Sequence, residues 1–593
     1  MTCIEQLTKD ITEALEKLYQ VQNLENVLQF QKTRREFKGD ITLVVFPLLR
    51  YSKKSPEDTG REIGEYLQKE ITGLANFNVI KGFLNLELKY EFWLNVLEQF
   101  HNQPVSNLFK KDGKVFVVEY SSPNTNKPLH LGHIRNNLIG FSISRILESL
   151  GHTVKKVNIV NDRGIHICKS MLAWKLWGQG ETPESAGKKG DHLVGDYYVK
   201  FEQEYKKQIE SLVKAGMSEE EARKEAPLIQ EAQELLRKWE NHDKDVWALW
   251  EKMNGWVYDG FDKTYKALGV DFDKIYYESQ TYTLGRSIAL KGVEKGVFEQ
   301  RADGSIWADL RENGLDQKVL LRSDGTSVYI TQDLGTAHQR HQDYEFNKHI
   351  YVVGNEQNYH FQVLIILLNK MGFEWANSLY HLSYGMVELP SGKMKSREGK
   401  VVDADDLIEE MILTAKSMSD ELGKLDEFSE EEKHEIYRII GLGALKYFIL
   451  KVDPKKNMLF DPGESIDFNG NTGPFIQYTY ARIRSVIRKA EESGIIPGLS
   501  VNFKPEVKEI ELIKLLSQFP EIIEMAGEEL NPALIANYTY EVAKEFNQFY
   551  HDYSILSADK PASVKFRLLL SAVTGNTIKS AMFLMGIDAP ERM

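Results

Sequence analysis

Two histidines three residues apart, His130 and His133, flank Gly132 at the end of the segment EYSSPNTNKPLHLGH, which runs from Glu119 to His133. Just before it, Val115-Phe116-Val117-Val118 is the short apolar run expected of a strand buried on both faces. Just after it, Ile139, Ile143, Ile146, Leu147 and Leu150 recur at helical spacing, and Gly151 is placed to cap the helix C-terminus. A strand, a loop and a helix in that order set the histidines at a helix N-terminus. There, unsatisfied N–H groups and the helix dipole favour a phosphate chain. Imidazole N–H groups would add donors, and Gly132, lacking a side chain, would let an adenine ring lie close to the backbone. Surface histidines on loops are common, so the weight rests on this context rather than on the residue types alone. The chemistry it suits is recognition of ATP.

The elements that must hold this motif follow from the same patterns. Thr153–Val160 reads as the next strand and completes a βαβ unit, so a parallel nucleotide-binding sheet is expected. Strand-like runs return at Ile306–Ala308, Val328–Ile330 and His349–Val353, the last followed by a helix through Val363–Leu368. Between them, residues 178–267 are charged and helical, and read as an insertion between the two halves of the sheet domain. Upstream, helical stretches alternate with short strands such as Ile41–Val45 and Phe83–Leu88, and HNQPVSNLFKKDGK reads as a polar linker. From about Leu407 helical periodicity runs to the end. The expected class is α/β: an N-terminal α+β domain over 1–108, a Rossmann-like parallel-sheet catalytic domain over 109–406, and an all-helical domain over 407–593.

Bulk properties set outer bounds. A chain of 593 residues is too long for a single hydrophobic core. Two cysteines, Cys3 and Cys168, supply neither a disulfide framework nor a cysteine-rich zinc site, which fits a reducing cytoplasm, and no zinc is expected. The start, MTCIEQLTKDITEALEKLYQ, has an acidic amphipathic rhythm rather than the basic and apolar regions of a secretory signal. No segment approaches the roughly 20 apolar residues of a membrane span. A formal charge of −13 argues against indiscriminate coating of nucleic acid, yet leaves room for one RNA met through local basic patches.

The motif segment resembles the histidine signature of class I aminoacyl-tRNA synthetases, in the extended S-x-P-N-x-x-K-P-x-H-x-G-H form of the arginyl-tRNA synthetases. A second signature of that family, a lysine-rich loop, has its counterpart in Gly392-Lys393-Met394-Lys395-Ser396-Arg397-Glu398-Gly399. Its fourth position holds Ser396, where most of the class has the lysine that grips pyrophosphate. Many arginyl enzymes share that loss, and Lys127 is similar to the lysine thought to replace it, with Lys393 and Lys395 as alternatives. The resemblance implies ATP with Mg²⁺, attack of an amino acid carboxylate on the α-phosphorus, and transfer of the acyl group to a ribose hydroxyl of tRNA. No protein nucleophile is needed, so His130, His133 and lysine would act by positioning and by stabilising charge on phosphate oxygens.

Selecting a guanidinium calls for carboxylates set for forked hydrogen bonds. Glu119 ends the first strand, while Tyr329 and Asp333 stand one turn apart if a helix begins there. The run from Asp324 to Asp333 resembles the arginyl family's D-G-T-S-x-Y-x-T-x-D motif. By that match Glu119 and Asp333 would take the guanidinium, Tyr329 would wall the pocket, and Asn124 and Gln357 would hold the α-amino and carboxylate ends. The N-terminal region is similar to the family's additional domain, which touches the tRNA elbow. The run Asn471–Arg484 is similar to the start of its anticodon-binding domain, with Gln477, Tyr478 and Arg482 as candidate tRNA contacts. The expected partners are L-arginine, ATP and tRNA, with no membrane, for a cytoplasmic monomer. A cysteinyl enzyme would need zinc ligands and a glutamyl pocket would need basic residues. A non-catalytic relative would not need Lys127, His130 and His133, and a small-molecule nucleotidyltransferase would not need the C-terminal helices.

Overall fold

The computed structural model describes residues 3–34, 36–103, 109–388, 402–422, 428–500 and 503–593. The N-terminal part pairs β1 (Phe30–Lys32), β2 (Ile41–Val44), β3 (Leu74–Ile80) and β4 (Phe83–Leu88) in the antiparallel order β1-β2-β4-β3. Helices Cys3–Tyr19, Pro56–Glu70 and Tyr90–Asn102 accompany it. Ser55 starts the second of these helices by accepting the Asp58 N–H at 3.2 Å, with Pro56 at the first helical position.

The five-stranded sheet comprises β5 (Val115–Glu119), β6 (Thr153–Val160), β7 (Lys274–Tyr277), β11 (Lys348–Gly354) and β12 (Leu379–Tyr384). Its order is β12-β11-β5-β6-β7 and every pairing is parallel. The chain leaves β5 toward β6 and later returns to β5's other side as β11, so the winding reverses between β5 and β11. In an open parallel sheet, ligands bind at such a reversal, beyond the carboxyl ends of the strands. Glu119, the last residue of β5, lies opposite Val157 on one side and Tyr351 on the other.

Between β7 and β11 stand three short antiparallel strands, β8 (Glu299–Gln300), β9 (Ile306–Ala308) and β10 (Lys318–Leu321), and the helix Tyr329–Tyr344. Two expectations are corrected here. The Val328–Ile330 run is no strand: Val328 is the extended residue before the helix, and Tyr329 opens it. The helical module of Gly190–Lys214, Glu219–Glu225, Pro227–Glu240 and Lys244–Leu268 joins β6 to its sheet neighbour β7, so it does not separate the two halves. Alternating charge and helical spacing identify such a module but carry no information on which two strands it bridges.

The C-terminal helices, among them Glu430–Leu450, Gly473–Glu492, Ala533–Asp552 and Pro561–Leu584, pack into the same apolar core as the sheet and the N-terminal helices. Between them and the sheet, β13 (Val387–Glu388) pairs with β14 (Met458–Leu459). Arg135, on the helix Leu131–Ser149, is fully buried and donates to the carbonyls of Met386, Pro454 and Lys456. Three acceptors for one guanidinium make this a firm join between the sheet-bearing and helical parts.

Candidate active site

The turn after β5 is strained in a way that only its surroundings can hold. Ser121 and Ser122 have φ of 81° and 49°, the left-handed region that residues with a Cβ rarely adopt. Two buried asparagines pin them: Asn136 accepts the Ser121 N–H at 2.5 Å and Asn158 accepts the Ser122 N–H at 2.9 Å. Asn136 also donates to the Val352 carbonyl at 2.8 Å, tying the motif helix to β11 across the reversal. Ser122 in turn donates to Glu119 Oε1 at 3.1 Å. Asn136 and Asn158 thus find partners on both sides of their amides, as burial requires.

The motif helix runs from Leu131 to Ser149 with His130 as its N-cap. His130 Nδ1 accepts the Gly132 N–H at 3.1 Å, and His133 Nδ1 accepts the His130 N–H at 3.2 Å. An imidazole that accepts on Nδ1 carries its proton on Nε2, so the capping geometry selects the same tautomer in both rings. Burial, followed by the charge of Lys127, holds His130 down to about 4. Burial holds His133 well below its ordinary range too, with His130 and Lys127 contributing. Near neutral pH the pair therefore offers two uncharged N–H donors at a helix N-terminus, with ring centroids 4.0 Å apart.

The segment that follows the second signature returns to this motif. Leu131 donates to the Val402 carbonyl at 3.1 Å, and Ala404 donates to the Leu129 carbonyl at 3.0 Å. The helical module secures that return through His192, which meets Asp405 at 3.0 Å and Asp403 at 3.5 Å. Lys189 pairs with Asp405 as well. Residues 389–401, including Lys393, Lys395 and Ser396, lie outside the described residues.

At the end of β5, Glu119 feels the charge of Asp333, but it already has a guanidinium partner. Arg340, on the same helix as Asp333, forms a buried ion pair with Glu119. Burial raises the Glu119 carboxyl above its ordinary range and the Arg340 charge opposes that rise. Asp333 accepts from His360 at 2.5 Å and remains 41% exposed. Behind it lies a polar cluster that spacing did not single out: Arg163 pairs with Glu240 at 3.0 Å and approaches Glu278 at 3.9 Å, and Gln332 is placed between Arg163 and Glu278. Asn124, Gln357 and Tyr329 are exposed at the rim, Tyr329 at 75%, so its ring does not wall the pocket in this conformation. Arg340 was legible in principle, since it follows Asp333 by seven residues and so lies on the same helix face.

On the distant helix Gly473–Glu492 the candidate tRNA contacts separate. Gln477 is fully buried and donates to the carbonyls of Ile439 and Asp588 at 3.0 and 2.8 Å, so it fastens the C-terminal tail rather than facing RNA. Aromatic and basic spacing on a helix cannot by itself tell a packed glutamine from a displayed one. Arg482 lies over the rings of Tyr478 and Tyr550 and bonds to Asn547, beside Lys508 and Lys544. This half-buried basic and aromatic face has the composition that base stacking and phosphate binding use.

The family model described as "tRNA synthetases class I (R), catalytic domain" matches residues 96–461, and the "DALR anticodon binding domain" matches residues 476–593. An arginine–tRNA ligase of Parabacteroides distasonis is 59% identical over 100% of both chains. One of Bacteroides thetaiotaomicron is 58% identical over 99% of both. A solved arginyl-tRNA synthetase of Thermus thermophilus has the same fold, with a TM-score of 0.80 over 99% of this chain and 100% of that one, at 24% identity. The chain belongs to the arginine–tRNA ligases, within the class I aminoacyl-tRNA synthetases.

Proposed function

We propose that the crevice between β5 and β11 activates L-arginine with ATP and passes it to the tRNA for arginine. One observation carries this reading: a pair of neutral imidazole donors at a helix N-terminus and a pair of acidic side chains, Glu119 and Asp333, share the carboxyl edge of one parallel sheet. The first suits a phosphate chain and the second a guanidinium.

In this reading the arginine carboxylate attacks the α-phosphorus of ATP, the bond to the bridging oxygen breaks, and pyrophosphate leaves. His130 and His133 donate through Nε2–H to phosphate oxygens, and because they are already neutral they give no proton away. Lys127 holds the departing pyrophosphate, and its charge is felt at both rings. Mg²⁺ arrives on the ATP phosphates, as that ion commonly does. Among the described residues the one grouping with metal-ligand geometry is Asp191, His192 and Asp405, and the Lys189 ammonium already sits among its carboxylates. A terminal ribose hydroxyl of tRNA then attacks the adenylate carbonyl and AMP departs.

Glu119 and Asp333 bind the guanidinium, Asn124 and Gln357 the backbone ends of arginine, and Tyr329 turns over the ligand once it is seated. Tyr478 and Arg482 contact the anticodon region and the N-terminal domain, 1–108, contacts the tRNA elbow. The protein works as a cytoplasmic monomer; among the described residues no helix is long and apolar enough to cross a membrane. Glu119→Gln and Asp333→Asn test the pocket: each should raise the KM for arginine at least about tenfold while leaving that for ATP near normal. Normal arginine KM and kcat in both variants would sink the assignment.

A further inference from the structure

The Glu119–Arg340 pair is not needed to build the sheet, since β5 and β11 are joined by their own backbone register. Yet it places two charges where almost no solvent reaches, with side chains 6% and 2% exposed. Burying a charge pair is costly, and apolar residues of similar size often do as well or better for stability. Arg340 is also only partly satisfied. Its Nε and Nη2 have no acceptor among the described residues, while its guanidinium lies 5.0 Å from the ring of Tyr276 and 5.7 Å from that of Tyr351.

We propose that Arg340 is a positioning and specificity residue for arginine, acting through Glu119. The inference rests on the reading that Glu119 binds the substrate guanidinium. Arg340 engages Glu119 Oε2 and Ser122 engages Oε1, which fixes the plane of the carboxylate from two sides. Each oxygen keeps a second lone pair for the incoming substrate. The charges then balance in a way that favours a side chain carrying one positive charge. Glu119 and Asp333 contribute two negative charges and Arg340 one positive. One negative charge remains, which a single substrate guanidinium neutralises and the neutral ureido group of citrulline does not. Without Arg340, a buried Glu119 would take up a proton rather than stay ionised, and would then donate where the guanidinium needs an acceptor.

A double-mutant cycle tests this, using the full-length protein with tRNA and measuring KM and kcat for arginine and for ATP. Arg340→Met should raise the arginine KM at least about tenfold and leave the ATP KM within about twofold. Arg340→Lys, which keeps the charge but not the fork, should fall between the two. In a Glu119→Gln background, Arg340→Met should move the arginine KM by less than about twofold, because its route to the substrate is already cut. The proposal fails if Arg340→Met leaves the arginine KM unchanged or raises both KM values together. It fails equally if the effect persists in the Glu119→Gln background. A normal arginine KM in Glu119→Gln alone would instead overturn the assignment of Glu119 itself, and this proposal with it. Should Arg340→Met not fold, Arg340→Lys can be compared in the wild-type and Glu119→Gln backgrounds, and the Glu119→Gln/Arg340→Met protein, which buries no unpaired charge, provides the double variant.

Discussion

Replacing His130 by asparagine separates two roles that one side chain holds at once. As N-cap, His130 accepts the Gly132 N–H through Nδ1. As the proposed donor to phosphate it would use Nε2, at the far side of the ring. Asparagine is among the best N-cap residues, so helix stability should change by only a few tenths of a kcal/mol. Its shorter amide cannot reach where Nε2 stood. Losing one preorganised donor to developing charge costs about 3 kcal/mol, so arginine-dependent ATP–pyrophosphate exchange in the presence of tRNA should slow by about 10²–10³. The pH dependence follows from the same geometry. Burial holds the His130 imidazole down to about 4, so it is uncharged throughout the working range. The wild-type rate should show no limb from this pair between about pH 5.5 and 8. Thermal unfolding run beside the exchange assay separates misfolding from lost chemistry. Exchange within about threefold of wild type would leave His130 as a cap and no more.

Other perturbations reach the site through its supports. A Cβ at Gly285 would run into the Thr331 backbone carbonyl in the first turn of the helix that carries Asp333 and Arg340. Gly285→Ala should cost about 1–3 kcal/mol in denaturant unfolding and raise the arginine KM more than the ATP KM. Glu278 is pushed from 4.5 up to about 7, chiefly by burial, so the folded protein holds that proton more tightly than the unfolded chain. Its contribution to stability is therefore best below the unfolded value and lost as pH rises through about 7. Glu278→Gln should gain melting temperature over wild type at pH 8 but little at pH 5, by the equivalent of about 2–3 kcal/mol. His192 is raised by its hydrogen bond to Asp405 despite burial, so its stabilisation is complete below the unfolded value and fades as pH rises through the folded one. His192→Gln should lower the melting temperature more at pH 6 than at pH 9.

The parallel sheet and the placing of His130 and His133 at a helix N-terminus were legible because both depend on local order along the chain. An apolar strand, a loop and a helix in that order leave few alternatives for where His130 and His133 stand. The guanidinium end was half legible. Glu119 and Asp333 could be picked out by type and by motif, but whether their carboxylates stand free depends on side chains from other elements. Arg340 occupies Glu119, and His360 occupies one oxygen of Asp333. Spacing puts Arg340 on the helix face of Asp333, but it does not say which carboxylate either partner meets. Asn136 and Asn158 were invisible for the opposite reason: a polar residue inside an apolar helix or strand reads as noise until the strained turn it supports is known. Gln477 misled because a helix turned inward and one turned outward share a periodicity, and only its bonds to Ile439 and Asp588 decide between them.

The account stands most directly on which amino acid the crevice between β5 and β11 accepts. ATP–pyrophosphate exchange measured with each amino acid in turn, with and without tRNA, puts that question to the whole protein. Exchange with arginine alone, and only when tRNA is present, is the predicted result. Exchange driven by a different amino acid, or none under any condition, would contradict it.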